Sequence, residues 1–253
     1  MRLSTLAMAA LLCVCGTAAA EGTSVHIECE MQSDYAFSLT KKSVVLTRKT
    51  GEPRLVLMRQ GRLFIDDAWV PVSEADRERL IAYEREARAT MPLTQRIGRE
   101  AADIAFIALS EVAKDFSGDP ERLERKLAEA RKQLDRRLAD SISATHFNGD
   151  EFGRHIGDAV SETVPMVVGD IVGGALHAAF TGDAERLERL DGLDERIDAI
   201  VGSRAKALER DADTLCKRMR ALDALDDALE YRHAGKPLDL LRTHPERKET
   251  AAL

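Results

Sequence analysis

Two hydrophobic rhythms divide the chain. Between residues 25 and 70, large apolar and β-branched residues fall in short, partly alternating runs: VHIEC, YAFSLT, SVVLTR, PRLVLMR, RLFID and AWVPV. A period of two marks half-buried strands. Turn formers separate the runs at Ser33-Asp34, Lys41-Lys42, Thr50 to Pro53, Gln60-Gly61 and Asp66-Asp67. The last four runs predict an antiparallel meander. A sheet this small cannot bury both faces by itself, so a helix is expected to cover one of them.

The rhythm changes after Pro71-Val72. Ser73 fits a helix N-cap, with Glu74 and Asp76 in the first turn, where the helix dipole favours anions. A three-and-four spacing follows through Leu80, Ile81, Tyr83 and Ala87 to Met91. Pro92 is expected to break or kink this helix, because its ring clashes with the preceding turn. The spacing resumes at Ile97, Ala101, Ile104, Ala105, Ala108, Val112 and Phe116, a broad face expected at the centre of the core.

Two further helices start alike, with SGDPERLERK from Ser117 and TGDAERLERL from Thr181. Asp119 and Asp183 are the expected N-caps. Both helices carry a narrow apolar stripe among many charges, the pattern of bundle or coiled-coil helices. The stretch between them, residues 147–182, is richer in glycine and apolar residues. Gly169 and Gly173 form a small-xxx-small pair, joined by Gly174 and His177. We read a buried helix there, with glycines that admit another backbone, and treat Gly169, Gly173, Gly174 and His177 as the first candidate interaction segment. Residues 163–182 could span a bilayer by length, yet Pro165, Asp170 and His177 interrupt them. Reversible membrane contact or self-association is the competing reading.

The fold class is therefore α+β: a small N-terminal antiparallel sheet followed by a bundle of long helices. The expected units are a cleaved signal peptide (1–20), a β module (21–72), a helical bundle packed on the sheet (73–234) and a disordered, proline-bearing tail (235–253). Charged residues make up 32% of the chain and aromatics 4%, which suits solvated helices better than a β-sandwich. The net charge of −7 disfavours nucleic acid as a partner.

The chain opens with Arg2, an apolar run from Leu3 to Cys15 and the small residues Ala18-Ala19-Ala20. These are the three parts of a secretory signal, cut after Ala20, and they predict a periplasmic protein. Large residues, Leu12 and Val14, precede Cys13 and Cys15, which argues against lipidation. Cleavage leaves Cys29 and Cys216. An even pair in an oxidising compartment reads as one disulfide, with free thiols or intermolecular pairing as the rivals. Closing so long a loop is worth up to roughly 5 kcal/mol in the chain-entropy picture.

Candidate chemistry is sparse. No phosphate loop or nucleophile elbow stands in the sequence. The densest polar cluster is His146, Asn148, Asp150, Glu151 and His155. It reads either as a metal site for a hydrolase or as a turn between two helices, and the turn is favoured because zinc-helix spacing is missing. Asp103 and Asp170 lie among apolar residues, and His177 reads as a core residue. No catalytic residue, metal or cofactor is assigned. The expected partner is an unidentified protein or envelope component.

The ordered set "IECEM", "GRLFIDDAWVPVSEADRERL", "YEREARATMPL", "FNGDEFG", "GDIVGGAL" and "DTLCKRM" runs through nearly the whole mature length. In this order it resembles the YggN-like family, a domain-of-unknown-function family of bacterial periplasmic proteins. The resemblance implies a periplasmic location and a two-cysteine architecture. It carries over no activity, ligand or catalytic residue.

Overall fold

The computed structural model describes residues 31–143, 145–181 and 192–243. The expected signal peptide (1–20), Cys29, Asp183 and residues 244–253 lie outside them. The fold is α+β, an N-terminal antiparallel sheet followed by four long helices.

Strands β3 (Val44–Thr47), β4 (Leu55–Arg59), β5 (Arg62–Ile65) and β6 (Ala68–Val70) form the predicted antiparallel meander, and β2 (Ala36–Leu39) adds to it beside β3. Two-residue turns set the register. Arg59 pairs with Arg62 across Gln60-Gly61, and Ile65 pairs with Ala68 across Asp66-Asp67. Gln60, Gly61 and Asp66 all take positive φ, as such tight hairpins require. Asp66 also accepts the Arg54 and Leu55 amides through Oδ1.

The sheet is larger than the 21–72 module expected from the sequence. Strands β7 (Ile142–Ser143) and β8 (His146–Asn148) extend it to seven strands, in the order β6-β5-β4-β3-β2-β8-β7. Phe147 and Asn148 pair with Leu39 and Ser38. These strands are two and three residues long, too short to show a period of two, so they read from sequence as an interhelical turn.

Helix α1 (Glu74–Phe116) starts where predicted. The Ser73 hydroxyl accepts from the Asp76 amide. The helix runs on through Pro92 where a break or kink was expected. Its first half covers the sheet: Leu80, Tyr83, Ala87 and Met91 pack on Leu39, Val44, Leu46, Val56, Met58, Leu63 and Ile65. Full burial of each Leu, Val, Ile or Met side chain is worth about 1.5–3 kcal/mol. The second half corrects a further expectation. Ile97, Ile104, Ala108, Val112 and Phe116 are only half-buried, and Ala101 and Ala105 are exposed. Here α1 meets other helices rather than a sheet. Ala113 joins Leu123, Leu127 and Val167 in a separate small core.

Helix α2 (Pro120–Ser141) is capped by Asp119, whose side chain accepts from the Arg122 amide, with Pro120 in the first turn. Helix α3 (Gly149–Thr181) and helix α4 (Leu193–Asp227) follow. Ion pairs fix two antiparallel pairings. Arg96 and Arg204 of α1 and α4 meet Asp211 and Glu100 of the facing helix at 2.6 and 3.2 Å, and Arg196 meets Asp115. Arg122 and Arg137 of α2 meet Asp170 and Glu162 of α3 at 3.1 and 3.8 Å.

The tail is not disordered from residue 235. Through Thr243 it forms a strap, with β9 (Arg232–His233) and β10 (Lys236–Pro237) as a small hairpin and β11 (Arg242–Thr243) paired with β1 (Met31–Gln32). Leu238, Leu240 and Leu241 are buried in the main core. Three carboxylates receive the strap's backbone. Asp76 accepts the Glu230 and Tyr231 amides, each at 2.8 Å. Asp226 accepts those of Leu240 and Leu241 at 2.7 and 2.9 Å. Asp223 accepts that of Thr243 at 2.9 Å. The Ser33 hydroxyl donates to the Leu240 carbonyl at 2.6 Å.

Candidate interaction surface

Asn148 directly precedes helix α3, and its Oδ1 accepts the Glu151 amide. Asp150 and Glu151 fill the first turn. Positions four apart fall in rows along a helix, and here the rows differ in environment. Thr163 and Val167 are buried, and Met166 and Ile171 are half-buried against the small core. Asp170, on the same side, faces Arg122 and the Ser117 hydroxyl.

The outer rows are uncharged. Val160, Val164, Val168, Val172, Leu176 and Phe180 form one row at a strict spacing of four, each 47–88% exposed. Beside it runs a row of Gly157, Ser161, Pro165, Gly169 and Gly173, also exposed. A Cβ added at Gly157, Gly169 or Gly173 would meet nothing within 4 Å. The face is thus a ridge of branched side chains beside a groove of small ones, open to solvent. Among the described residues, no helix is long and apolar enough to cross a membrane.

The candidate segment therefore divides. Gly174 performs the close approach read from sequence, and the backbone it admits is the α1–α2 turn. A Cβ there would overlap the Phe116 carbonyl and fall within 3.0 Å of Gly118 N and Ser117 C. Gly169 and Gly173 face outward, so the expectation of a wholly buried helix is corrected. His177 lies on α3, its side chain outside what is described. The glycines and apolar content of α3 pointed to burial, and they are shared by the inward and outward rows of residues 163–181. The signal that separates its rows is the strict four-residue repeat of valine.

The polar cluster does not assemble into a metal centre. Asn148 is spent on capping, and His155 Nδ1 lies 2.7 Å from the Ser141 hydroxyl. Among the described residues, no group of three or more His, Cys, Asp or Glu side chains could hold a metal ion. Asp103 and Asp170 face different arginines, Asp103 meeting Arg131 at 2.7 Å. A cleft of about 580 Å³ opens between α1 and α2, lined by Phe106, Ile107, Leu127 and Arg131 among others. Cys216 is buried on α4, 5% exposed.

Burial also acts on the carboxylates near the strap. Desolvation pushes Asp226 up to about 7, against the lowering effect of the Leu241 and Leu240 amides. Glu84, 9% exposed, is raised by burial while the Gly61 amide it accepts at 3.1 Å works the other way.

Residues 29–241 match the family described as a protein of unknown function, DUF2884. The chain belongs to the DUF2884 family. The match reaches from Cys29 to Leu241 and so takes in the seven-stranded sheet, the four described helices and most of the strap. No curated protein and no solved structure matches the DUF2884 chain.

Proposed function

We propose that this chain is a secreted periplasmic protein with a binding or scaffolding role in envelope maintenance, acting through the outer face of α3 and without chemistry of its own. The observation that carries the reading is the pair of exposed, uncharged rows on α3. An apolar helix face of this length left open to water marks an interaction site on a soluble protein. The buried polar groups support the same reading, because they are committed to the scaffold. Asp76 and Asp226 hold the strap, Glu84 holds the Gly61 turn, and Thr90 and Ser141 bond carbonyls of their own helices.

The leader at residues 1–20 and the YggN-like resemblance support the periplasmic location. The pairing of Cys29 with Cys216 belongs to the same proposal. Met31, two residues after Cys29, pairs with Thr243, whose amide bonds Asp223 on α4, two turns from Cys216. That route brings the first strand to the helix that carries the second cysteine. Non-reducing peptide mapping should yield one Cys29–Cys216 peptide, and two alkylatable thiols would overturn the pairing.

The function is tested by osmotic-shock fractionation combined with photo-crosslinking from position 172. The expected result is release of a chain beginning at Glu21, with adducts from position 172 and none from the exposed position 85 on α1. Retention in the cytoplasm, or no adduct from position 172, would refute it.

A further inference from the structure

We infer that the outer face of the sheet docks on the anionic surface of a lipid bilayer. This surface is distinct from α3 and stands or falls apart from it. Alternation along the strands sends Val56, Met58, Leu63 and Ile65 into the main core and their neighbours outward. The register then aligns Val45, Leu57, Phe64 and Trp69 in one cross-strand row on the side away from that core. At about 4.8 Å per strand the row is roughly 14 Å long. Phe64 and Trp69 meet edge to face at 5.3 Å, and Arg62 lies over the indole at 4.1 Å, which puts all three on this side.

A cationic line runs beside the apolar row. Arg59 and Arg62 pair with each other on the same face, about 7 Å along the strands from Leu57 and Phe64. Lys41 and Lys42 stand in the β2–β3 turn at that same end of the sheet, beyond the pairing of Leu39 with Val44. All four are exposed, and none forms an ion pair among the described residues. Strands β2 to β6 carry no acidic residue, and Asp66 and Asp67 sit in the turn at the far end. A chain of net charge −7 thus presents one locally positive face, and its complement is an anionic partner. The shape of the face selects among such partners. Val45, Leu57 and Phe64 are half-buried among their neighbours, and Trp69, on the edge strand, is 40% exposed. A protein partner is gripped by anchors seated in pockets; a headgroup layer needs none. It sets phosphates at the level of the cations and an apolar zone just beneath them. Tryptophan settles at that boundary, while basic side chains hold the anionic heads.

The test is co-sedimentation of the mature full chain with vesicles of equimolar phosphatidylglycerol and phosphatidylcholine, with far-UV circular dichroism as the folding control. Trp69 is the sole tryptophan, so its emission reports the contact directly. Wild type is expected to bind, to shift its emission to the blue, to release as salt rises and to ignore pure phosphatidylcholine. Arg59→Glu/Arg62→Glu should weaken binding about a hundredfold or more, because two attractions become two repulsions. Arg59→Gln/Arg62→Gln, which only removes the charges, should weaken it about tenfold or more. Lys126→Glu/Lys132→Glu on α2 makes the same change in net charge as the first variant and should bind as wild type does. No binding, no shift in emission, or an equal loss in the α2 variant overturns the inference. Binding that Val168→Asp/Val172→Asp abolishes and both arginine variants leave intact assigns the lipid to α3 and also overturns it. Protein adducts from a photo-crosslinker at position 69, without vesicle binding, assign the sheet face to a protein and overturn it as well. Adducts from position 172 test the α3 reading separately, so the two can fail independently.

Discussion

Asp226 is the sharpest handle on the strap. It is 1% exposed, its Oδ2 accepts two amides, and its Oδ1 has no hydrogen-bond partner among the described residues. Its carboxyl sits at about 7 because burial penalises the charge more than the two amides reward it. In the unfolded chain it returns to the ordinary carboxylate range near 4. Between those values the native state holds a proton that the unfolded state has released, so stability falls as pH rises. The direction is opposite to that of a salt-bridged aspartate. The penalty is fully present above about pH 7 and absent below about pH 4. Three units at 1.36 kcal/mol each set a ceiling of about 4 kcal/mol on its size. Asp226→Asn keeps an acceptor for the Leu240 and Leu241 amides and removes the titration. Urea unfolding of wild type and Asp226→Asn at pH 5, 6, 7 and 8 measures the difference. The variant should gain about 2–3 kcal/mol on wild type between pH 5 and pH 8. Parallel pH profiles for the two proteins would refute the reasoning.

Gly174→Ala should destabilise by about 2–3 kcal/mol or more, because its methyl meets the backbone of the α1–α2 turn. Gly169→Ala, in open space, should be neutral or gain up to about 1 kcal/mol from helix propensity; thermal melts of the two read the contrast. Asp76→Ala strands the Glu230 and Tyr231 amides and should cost about 2–4 kcal/mol in chemical denaturation, with Asp76→Asn losing less.

The meander and the helix starts were legible because they rest on local rules. Alternation, Gln60-Gly61, Asp66-Asp67, Ser73 and Asp119 act over a few residues, and each element formed where they pointed. The strap was not legible. Gly235, Pro237 and a run of polar residues resemble a free tail, and the core that Leu238, Leu240 and Leu241 join is built largely from the sheet and α1, far away in sequence. The carboxylates that hold it, Asp76, Asp223 and Asp226, look like any other helix-surface acid in a chain with 44 acidic residues. The outer face of α3 was half legible. Its apolar content and small residues drew attention to the right segment. Which rows face inward depends on where the α1–α2 turn crosses, and only Gly174 marks that place.

The strap also sets an order of events. The main core contains Tyr35 and Leu39 from the start of the described chain and Leu240 and Leu241 from its end. Ser33 reaches Leu240 across a separation of 207 residues. Contacts this distant form slowly, because the chain must close a long loop before they return any energy. The N-terminal strands cannot complete their packing until the last segment has been made and released. A chain truncated before Leu238 would keep α1 on the sheet yet lose Leu238, Leu240 and Leu241 from the main core. This is a protein whose ends meet last, and its nascent form stays open for as long as its C-terminus is withheld.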